Sequence, residues 1–426
     1  MRLDAEQIAR LKANALRLSR EHKDFFLLDS CGLNAPLDSN KYECLIGIGS
    51  HRRLKLTDSK NALSALRDFL EQPNWYFGVL AYDLKNDIEV LDSFNDSGID
   101  MPTVYFVEPE VVISLDRKGD LRVIGAEFKE YCALWEDEAE MEQAGVQWSG
   151  EVSSRMSENA YLRNVEAVKE LIRNGDVYEL NLCYAKELRD MSVEYPDRLF
   201  QTLIKCSPVP FGSFVRCDDL YLLSASPERF MRHYNGKMLS QPIKGTSARF
   251  PDTRQDRMAA IQLEESIKER AENVMIVDLV RNDLSRFSIP GTVSVEELFG
   301  IHSFAQVHQM ISSISSEVKD VVFTDVLLAA FPMGSMTGTP KIAAMKHIEM
   351  LESDMRGWYS GSVGYIDPEG NFDLNVIIRS MIYDRITQRL SFSVGGAITI
   401  DSDPQQELSE TRLKAKAITE ILGLTD

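Results

Sequence analysis

The run Trp358-Tyr359-Ser360-Gly361-Ser362-Val363-Gly364-Tyr365-Ile366 leads into Asp367-Pro368-Glu369-Gly370, and soon after comes Leu374-Asn375-Val376-Ile377-Ile378-Arg379-Ser380-Met381-Ile382-Tyr383. The outer runs are rich in β-branched and aromatic residues, and the residues between them supply the proline and glycine of a tight turn. Two such runs joined by a short turn form a hairpin, which implies antiparallel pairing. Phe214 to Leu223 and Leu390 to Ile400 read as further strands of this kind. Between the strands run helical patterns: Tyr161, Leu162, Val165, Val168, Leu171 and Ile172 recur at helical spacing, Gly175 can end that helix, and Val177 to Tyr184 reads as a strand.

The first half of the chain adds strand-like runs at Tyr42 to Ile48, Tyr76 to Tyr82 and Val104 to Leu115. The pattern predicts an α+β fold, with large antiparallel sheets covered by helices. The acidic run Glu136 to Glu142, followed by Gly145, Gly150 and serines, marks a candidate boundary between regions 1–150 and 151–426. A solvated surface helix and loop would read the same way, and the N-terminal strands would then belong to a single intertwined domain.

With 47 Lys plus Arg against 66 Asp plus Glu over 426 residues, the formal charge is −19. No basic run exceeds two residues, so nucleic acid is disfavoured as a partner. No apolar stretch approaches the roughly 20 residues of a membrane helix, and the polar start Met1-Arg2-Leu3-Asp4-Ala5-Glu6 lacks a secretory pattern. No membrane partner and a cytoplasmic location are expected. The six cysteines are scattered without C-x-x-C spacing, which fits reduced thiols. An anionic substrate would meet a repulsive field, so local cations would have to overcome it.

Signatures of nucleotide and common hydrolytic chemistry are absent: there is no G-x-x-x-x-G-K-[ST], H-E-x-x-H or G-x-S-x-G. Two carboxylate pairs stand out. Glu269 and Glu272 lie three apart in a helical stretch from Leu263 to Val280, and Glu407 and Glu410 repeat the spacing with Lys414 one turn beyond. Each pair shares a helical face, and two such faces brought together would suit Mg2+, although solvated helices often carry the same spacing. Lys244, in Gln241-Pro242-Ile243-Lys244-Gly245-Thr246, is a candidate nucleophile if its amine is made neutral.

Together these pieces resemble a known family. Gln241 to Thr246, Ala271-Glu272-Asn273-Val274-Met275-Ile276-Val277-Asp278-Leu279 with Arg281-Asn282-Asp283-Leu284, Gly334-Ser335-Met336-Thr337-Gly338-Thr339-Pro340-Lys341, Gly395-Gly396-Ala397 and Glu407 to Ala415 resemble the chorismate-binding enzymes over about Tyr161 to Ile421. The resemblance implies a layered α/β/β/α sandwich of two large antiparallel sheets, like that of anthranilate synthase component I, with the active site in the region 151–426. The lysine of P-I-K-G-T resembles the branch that forms 4-amino-4-deoxychorismate for 4-aminobenzoate and folate synthesis, whereas the anthranilate-forming branch usually has alanine there.

On that resemblance Glu228 is the general acid for the departing 4-hydroxyl, Lys244 attacks C2, and ammonia then adds at C4. Mg2+ would lie between Glu272 and Glu410, with Glu269 and Glu407 holding its waters. Arg379 and Tyr365 match positions that grip the enolpyruvyl carboxylate. Gly245, Thr246, Thr337, Gly395, Gly396, Ala397 and Lys414 are further substrate contacts, and His308 lies near the ring. Glu179 stands where related enzymes carry lysine or glutamine, which leaves its role open. A glutamine amidotransferase subunit is the implied ammonia source. Phe26 to Ser30 resembles a segment that helps form a tryptophan pocket in relatives, with Asp29 in place of a glutamate. The alternatives are an anthranilate synthase component I and a non-catalytic chorismate-binding regulatory subunit.

Overall fold

A computed structural model describes residues 1–138 and 142–424, without the side chain of Asp38. Part of the acidic run at the candidate boundary, residues 139–141, lies outside the described residues. Among the described residues the strands form two large sheets, of eleven and ten strands, and a two-stranded ribbon. Every strand pair in them is antiparallel.

The two sheets pack face to face. Phe26, Leu45, Val112, Val215 and Leu222 of the first sheet meet Phe77, Val79, Tyr105, Val107 and Val363 of the second in one buried cluster. Helices Ala5–Leu18, Glu158–Asn174, Pro196–Cys206, Lys341–Leu351 and Pro404–Ile421 bury apolar faces in the cluster that covers the first sheet. Helices Ala62–Phe69, Ile267–Ser285 and Phe323–Ala330 do the same for the second. The result is the expected α/β/β/α sandwich. Strands from both halves of the chain share each sheet: Asp24–Asp29 pairs with Phe211–Cys217 in one, and Tyr76–Leu80 with Ser362–Ile366 in the other.

The hairpin at residues 367–370 forms as its composition predicts. Gly370 takes φ +76°, its amide donates to the Asp367 carbonyl at 2.9 Å, and the Asp367 carboxylate accepts from the amides of Glu369 and Asn371. Gly175 likewise closes its helix at φ +83°, with amides 175 and 176 donating to the carbonyls of Ile172 and Leu171.

Four long elements expected from the sequence are each split in two. Phe214 to Leu223 is a hairpin, Phe211–Cys217 and Leu220–Ser226 paired antiparallel in the first sheet, with its turn at Asp218-Asp219. Val104 to Leu115 becomes Val104–Glu108 in the second sheet and Val111–Asp116 in the first, with Pro109 at the crossing, where a missing N–H ends the ladder. Leu374 to Tyr383 becomes Phe372–Val376 in the second sheet and Ser380–Asp384 in the first. The helical stretch Leu263 to Val280 is two helices, Thr253–Glu265 and Ile267–Ser285. Ser266 lies between them in extended conformation, and its side chain accepts from the Glu269 amide to cap the second. Among the described residues all six cysteines are free, and no helix is long and apolar enough to cross a membrane.

Candidate active site

Crossings between the sheets build the site. Arg379 sits where the chain leaves the second sheet for the first, and Glu228 sits at another crossing, between Leu220–Ser226 and Arg229–Tyr234. The two crossings are tied together: the Val376 amide donates to the Glu228 carbonyl at 3.0 Å, and the Ala225 amide to the Arg379 carbonyl at 3.2 Å. Arg379 adopts φ +51°, a conformation unusual for a residue with a side chain and one that concentrates at functional sites.

A cavity of about 850 Å³, measured out to its mouth, is lined by Glu228, Lys244, Gly245, Thr246, Glu269, Glu272, Arg379, Gly395, Ala397, Glu410 and Lys414. Eleven of the expected site residues, scattered over almost 190 positions of sequence, therefore converge on one space. Asn181, Lys268, Gln309, Ser335, Met336, Tyr359 and Ser393 join them. Glu228 is buried, and desolvation pushes its carboxyl up to about 7, although Ser335 Oγ donates to its Oε1 at 2.5 Å and the Lys244 charge favours ionisation. A carboxyl at that value is about half protonated at pH 7, as a general acid requires.

Lys244, on strand Ile243–Ala248 of the second sheet, reaches across to Glu179, the first residue of strand Glu179–Leu188 in the first. Its Nζ lies 2.6 Å from Glu179 Oε1, and both residues are buried. Burial alone would lower the lysine pKa, but the charges of Glu179, Glu272 and Glu228 outweigh it and hold the ammonium form. The neutral amine needed for attack is therefore not the resting state of this structure.

Arg379 lines the cavity with no hydrogen bond or ion pair to its guanidinium among the described residues. Desolvation holds its pKa down to about 10 against the pull of Glu228. An uncommitted guanidinium in a cavity is suited to bidentate binding of a carboxylate.

The four acidic candidates come from opposite outer layers, Glu269 and Glu272 on Ile267–Ser285, Glu407 and Glu410 on Pro404–Ile421. Desolvation, with Glu179 and Glu269 nearby, pushes Glu272 up to about 8, although Lys244 and Lys268 favour its ionisation. Desolvation and Glu410 push Glu269 up as well. Lys414 holds Glu410 down, with its Nζ 2.8 Å from Glu410 Oε1 and 3.0 Å from the Gly395 carbonyl. Lys268 was missed by sequence reasoning. Its Nζ sits 2.9 Å from Glu407 and 3.7 Å from Glu272, one helical turn before the latter, so the i, i+4 spacing was its only signal.

Among the described residues no three acidic, histidine or cysteine side chains converge closely enough to hold a metal ion, since the lysines intervene. The donor chemistry nevertheless fits a hard cation. The groups are carboxylates, and the buried Glu272 Oε1 has no hydrogen-bond partner.

The structure takes other expected contacts away from the cavity lining. Tyr365 lies on strand Ser362–Ile366 and lines a separate cavity of about 460 Å³ with Asp29, Ser30, Lys41, Tyr42 and Asn375. The tyrosine that meets the Arg379 cavity is Tyr359, six residues earlier, in the turn before the strand. His308 is buried, with Nε2 3.1 Å from Asp256 and Nδ1 2.7 Å from Ser303 Oγ, while its neighbour Gln309 lines the cavity. Thr337 is buried, with its hydroxyl turned to the carbonyls of Met333 and Gly334. Glu407 and Gly396 stand just behind the lining, where a Cβ at 396 would lie 3.2 Å from the Glu407 carboxylate. Gly245 takes φ +97°, and a Cβ there would meet Glu269 at 3.0 Å.

Comparison with known proteins agrees with this architecture. Residues 21–420 match the family described as chorismate binding enzyme. The chain is 33% identical over 344 residues to aminodeoxychorismate synthase component 1 of Escherichia coli, covering 80% of this chain and 75% of that protein. It is 40% identical over 267 residues to the protein of that name from Salmonella typhimurium, covering 62% and 58%. A probable chloroplastic aminodeoxychorismate synthase of Oryza sativa is 39% identical over 272 residues, covering 62% of this chain but only 30% of its own length. Among solved structures, anthranilate synthase component I of Streptococcus pneumoniae superposes with TM-score 0.74 at 24% identity, covering 89% of this chain and 92% of that one. The isochorismate synthase MenF of Escherichia coli does so with 0.76 at 18%, covering 99% and 91%, and these two likenesses show the fold. With the match spanning nearly the whole sequence, the chain belongs to the chorismate-binding enzyme family.

Proposed function

We propose that this protein aminates chorismate at C4, giving 4-amino-4-deoxychorismate with the enolpyruvyl group retained, as a step toward 4-aminobenzoate and folate. The observation that carries the reading is the placement of a half-protonated carboxyl, Glu228, and a buried primary amine, Lys244, in one cavity. Elimination of a hydroxyl needs the first, and a covalent route through C2 needs the second.

In this reading Arg379 binds the enolpyruvyl carboxylate, with Tyr359 beside it. Gly395, Ala397 and Lys414 bound the part of the cavity that receives the ring carboxylate. Glu228 gives its proton to the 4-hydroxyl, which leaves as water. The Lys244 amine forms a bond to C2 as the ring double bonds shift toward C4. Ammonia then adds at C4, the double bonds shift back, and the lysine leaves C2 with its electron pair. The new ammonium returns a proton to Glu228.

Mg2+ held by Glu272 and Glu410, with Glu269 and Glu407 holding its waters, would supply positive charge for the ring carboxylate. Without it, Lys268 and Lys414 supply the charge that keeps these carboxylates together. His308 has no contact role in this reading, since its ring nitrogens are taken up by Asp256 and Ser303. Ammonia comes from a glutamine amidotransferase partner, which the "component 1" in the relatives' names supports.

The test is product analysis with chorismate, Mg2+ and ammonium salt. The expected product is 4-amino-4-deoxychorismate without pyruvate. Anthranilate with pyruvate would assign the anthranilate branch, and chorismate binding without turnover would assign a regulatory subunit.

A further inference from the structure

We infer that Glu179 is the internal proton acceptor of Lys244: it takes the ammonium proton as the amine commits to attack and returns it when the lysine is released. The inference rests on the proposed amination and deepens it.

The two groups are 2.6 Å apart across the gap between the sheets, and Glu179 is fully buried. Glu179 Oε2 has no hydrogen-bond partner, so the ion pair leaves one anionic oxygen buried and bare. A bare buried charge is costly, and the cost grows when substrate displaces water from the cavity. Moving one proton along the existing hydrogen bond turns the pair into an amine facing a carboxylic acid, which removes both charges without contact with bulk solvent. Glu228 cannot serve this purpose, because its proton is required by the leaving hydroxyl. Glu272 makes no hydrogen bond to Lys244. The other cations of the cavity, Lys268, Arg379 and Lys414, only donate.

The protons balance. Lys244-NH3+ and Glu179-COO− become Lys244-NH2 and Glu179-COOH. The amine bonds to C2 as a secondary ammonium, and Glu228 leaves its proton on the departing water. After ammonia adds, Lys244 leaves C2 as a neutral amine and recovers its proton from Glu179, while the C4 ammonium restores Glu228. The sum is chorismate plus ammonia giving 4-amino-4-deoxychorismate plus water, with both carboxyls and the lysine as they began.

Glu179 acts through Lys244, so the test must separate proton acceptance from positioning. Glu179→Gln is nearly isosteric and keeps an oxygen that can accept from Lys244, but it removes the basic site. In the parent the amine's proton passes to a carboxylate already hydrogen-bonded to it. In Glu179→Gln bulk solvent must take that proton instead, and amines titrate far above carboxylates. The acid limb is therefore expected to move up by about one pH unit or more, and the peak rate to fall, because Glu228 must still be protonated when the amine is neutral. Glu179→Asp, which keeps the carboxylate, is expected to retain the parent limb.

The readouts are the rate of the Lys244 adduct by quenched intact-protein mass spectrometry without ammonium, and product formation at constant free ammonia. A Glu179→Gln acid limb coincident with the parent overturns the inference. So does a Glu179→Asp limb displaced like that of Glu179→Gln. A parent that releases anthranilate or no product refutes the amination reading instead, so the two failures are distinguishable.

Discussion

Ser335→Ala is predicted to extend activity into alkali, although it removes a hydrogen bond in the active site. Ser335 Oγ donates to Glu228 Oε1 at 2.5 Å and so stabilises the carboxylate over the acid. A hydrogen bond to a buried charged group contributes about 1.5–3 kcal/mol, and one pKa unit corresponds to about 1.4 kcal/mol. Losing it lifts Glu228 from about 7 to roughly 8 or above. At pH 8 about one tenth of the parent would carry the catalytic proton, against about half of the variant, roughly a fivefold gain in the competent form. The assay is chorismate consumption between pH 6 and 9.5 at constant free ammonia and saturating Mg2+. The alkaline limb is expected to move up by about one unit or more. An unmoved limb, or one displaced toward acid, would refute the assignment of Glu228 as the group that must be protonated.

Glu228→Gln should lower turnover by about 10²–10⁴-fold, the usual worth of a general acid, while chorismate binding measured by calorimetry persists. The same variant tests linkage in the ligand-free protein. The Glu228 carboxyl is raised from an unfolded value near 4.3 to about 7, so the folded state retains a proton that the unfolded state has lost, and stability declines as pH rises between them. The decline is up to about 4 kcal/mol, and melting temperatures from pH 4.5 to 8 should fall more steeply in the parent than in Glu228→Gln; parallel curves would contradict it. Arg379→Ala should weaken chorismate binding by about 10- to 100-fold through loss of the carboxylate contact, and an unchanged affinity would remove Arg379 from that role. Glu410→Gln should raise the Mg2+ concentration needed for half-maximal thermal stabilisation at least about tenfold, whereas the exposed Glu138→Gln should leave it unchanged; equal effects would dissolve the proposed metal site.

The sequence carried the site further than it carried the strands. Lys244, Glu228, the Glu269/Glu272 and Glu407/Glu410 pairs and Arg379 were named from short runs that resemble the family, and folding brings all of these but Glu407 to the cavity wall. Strand ends were less legible. Val104 to Leu115 and Leu374 to Tyr383 are continuous in composition, but each serves two sheets, because an apolar run suits a buried strand in either layer. The second of these breaks is what delivers Arg379. Tyr365 was matched through the family resemblance; it lies on strand Ser362–Ile366 and lines another cavity, whereas Tyr359, in the turn before that strand, meets the Arg379 cavity. Lys268 and Ser335 went unnoticed as partners of the acids, since their importance arises from burial and distance. The Glu179 contact with Lys244 joins residues 65 positions apart on different sheets, which no local pattern reveals.

The central claim is that Lys244 becomes covalently attached to the substrate. Incubating the protein with chorismate and Mg2+ without ammonium, quenching in acid and locating modified peptides by mass spectrometry tests it most directly. The account predicts an increment of chorismate less one water on the peptide containing Lys244, absent from Lys244→Ala and discharged by adding ammonium. A parent enzyme that forms 4-amino-4-deoxychorismate while Lys244 stays unmodified at every quench time, with Lys244→Ala still turning over at the parent rate, would contradict it.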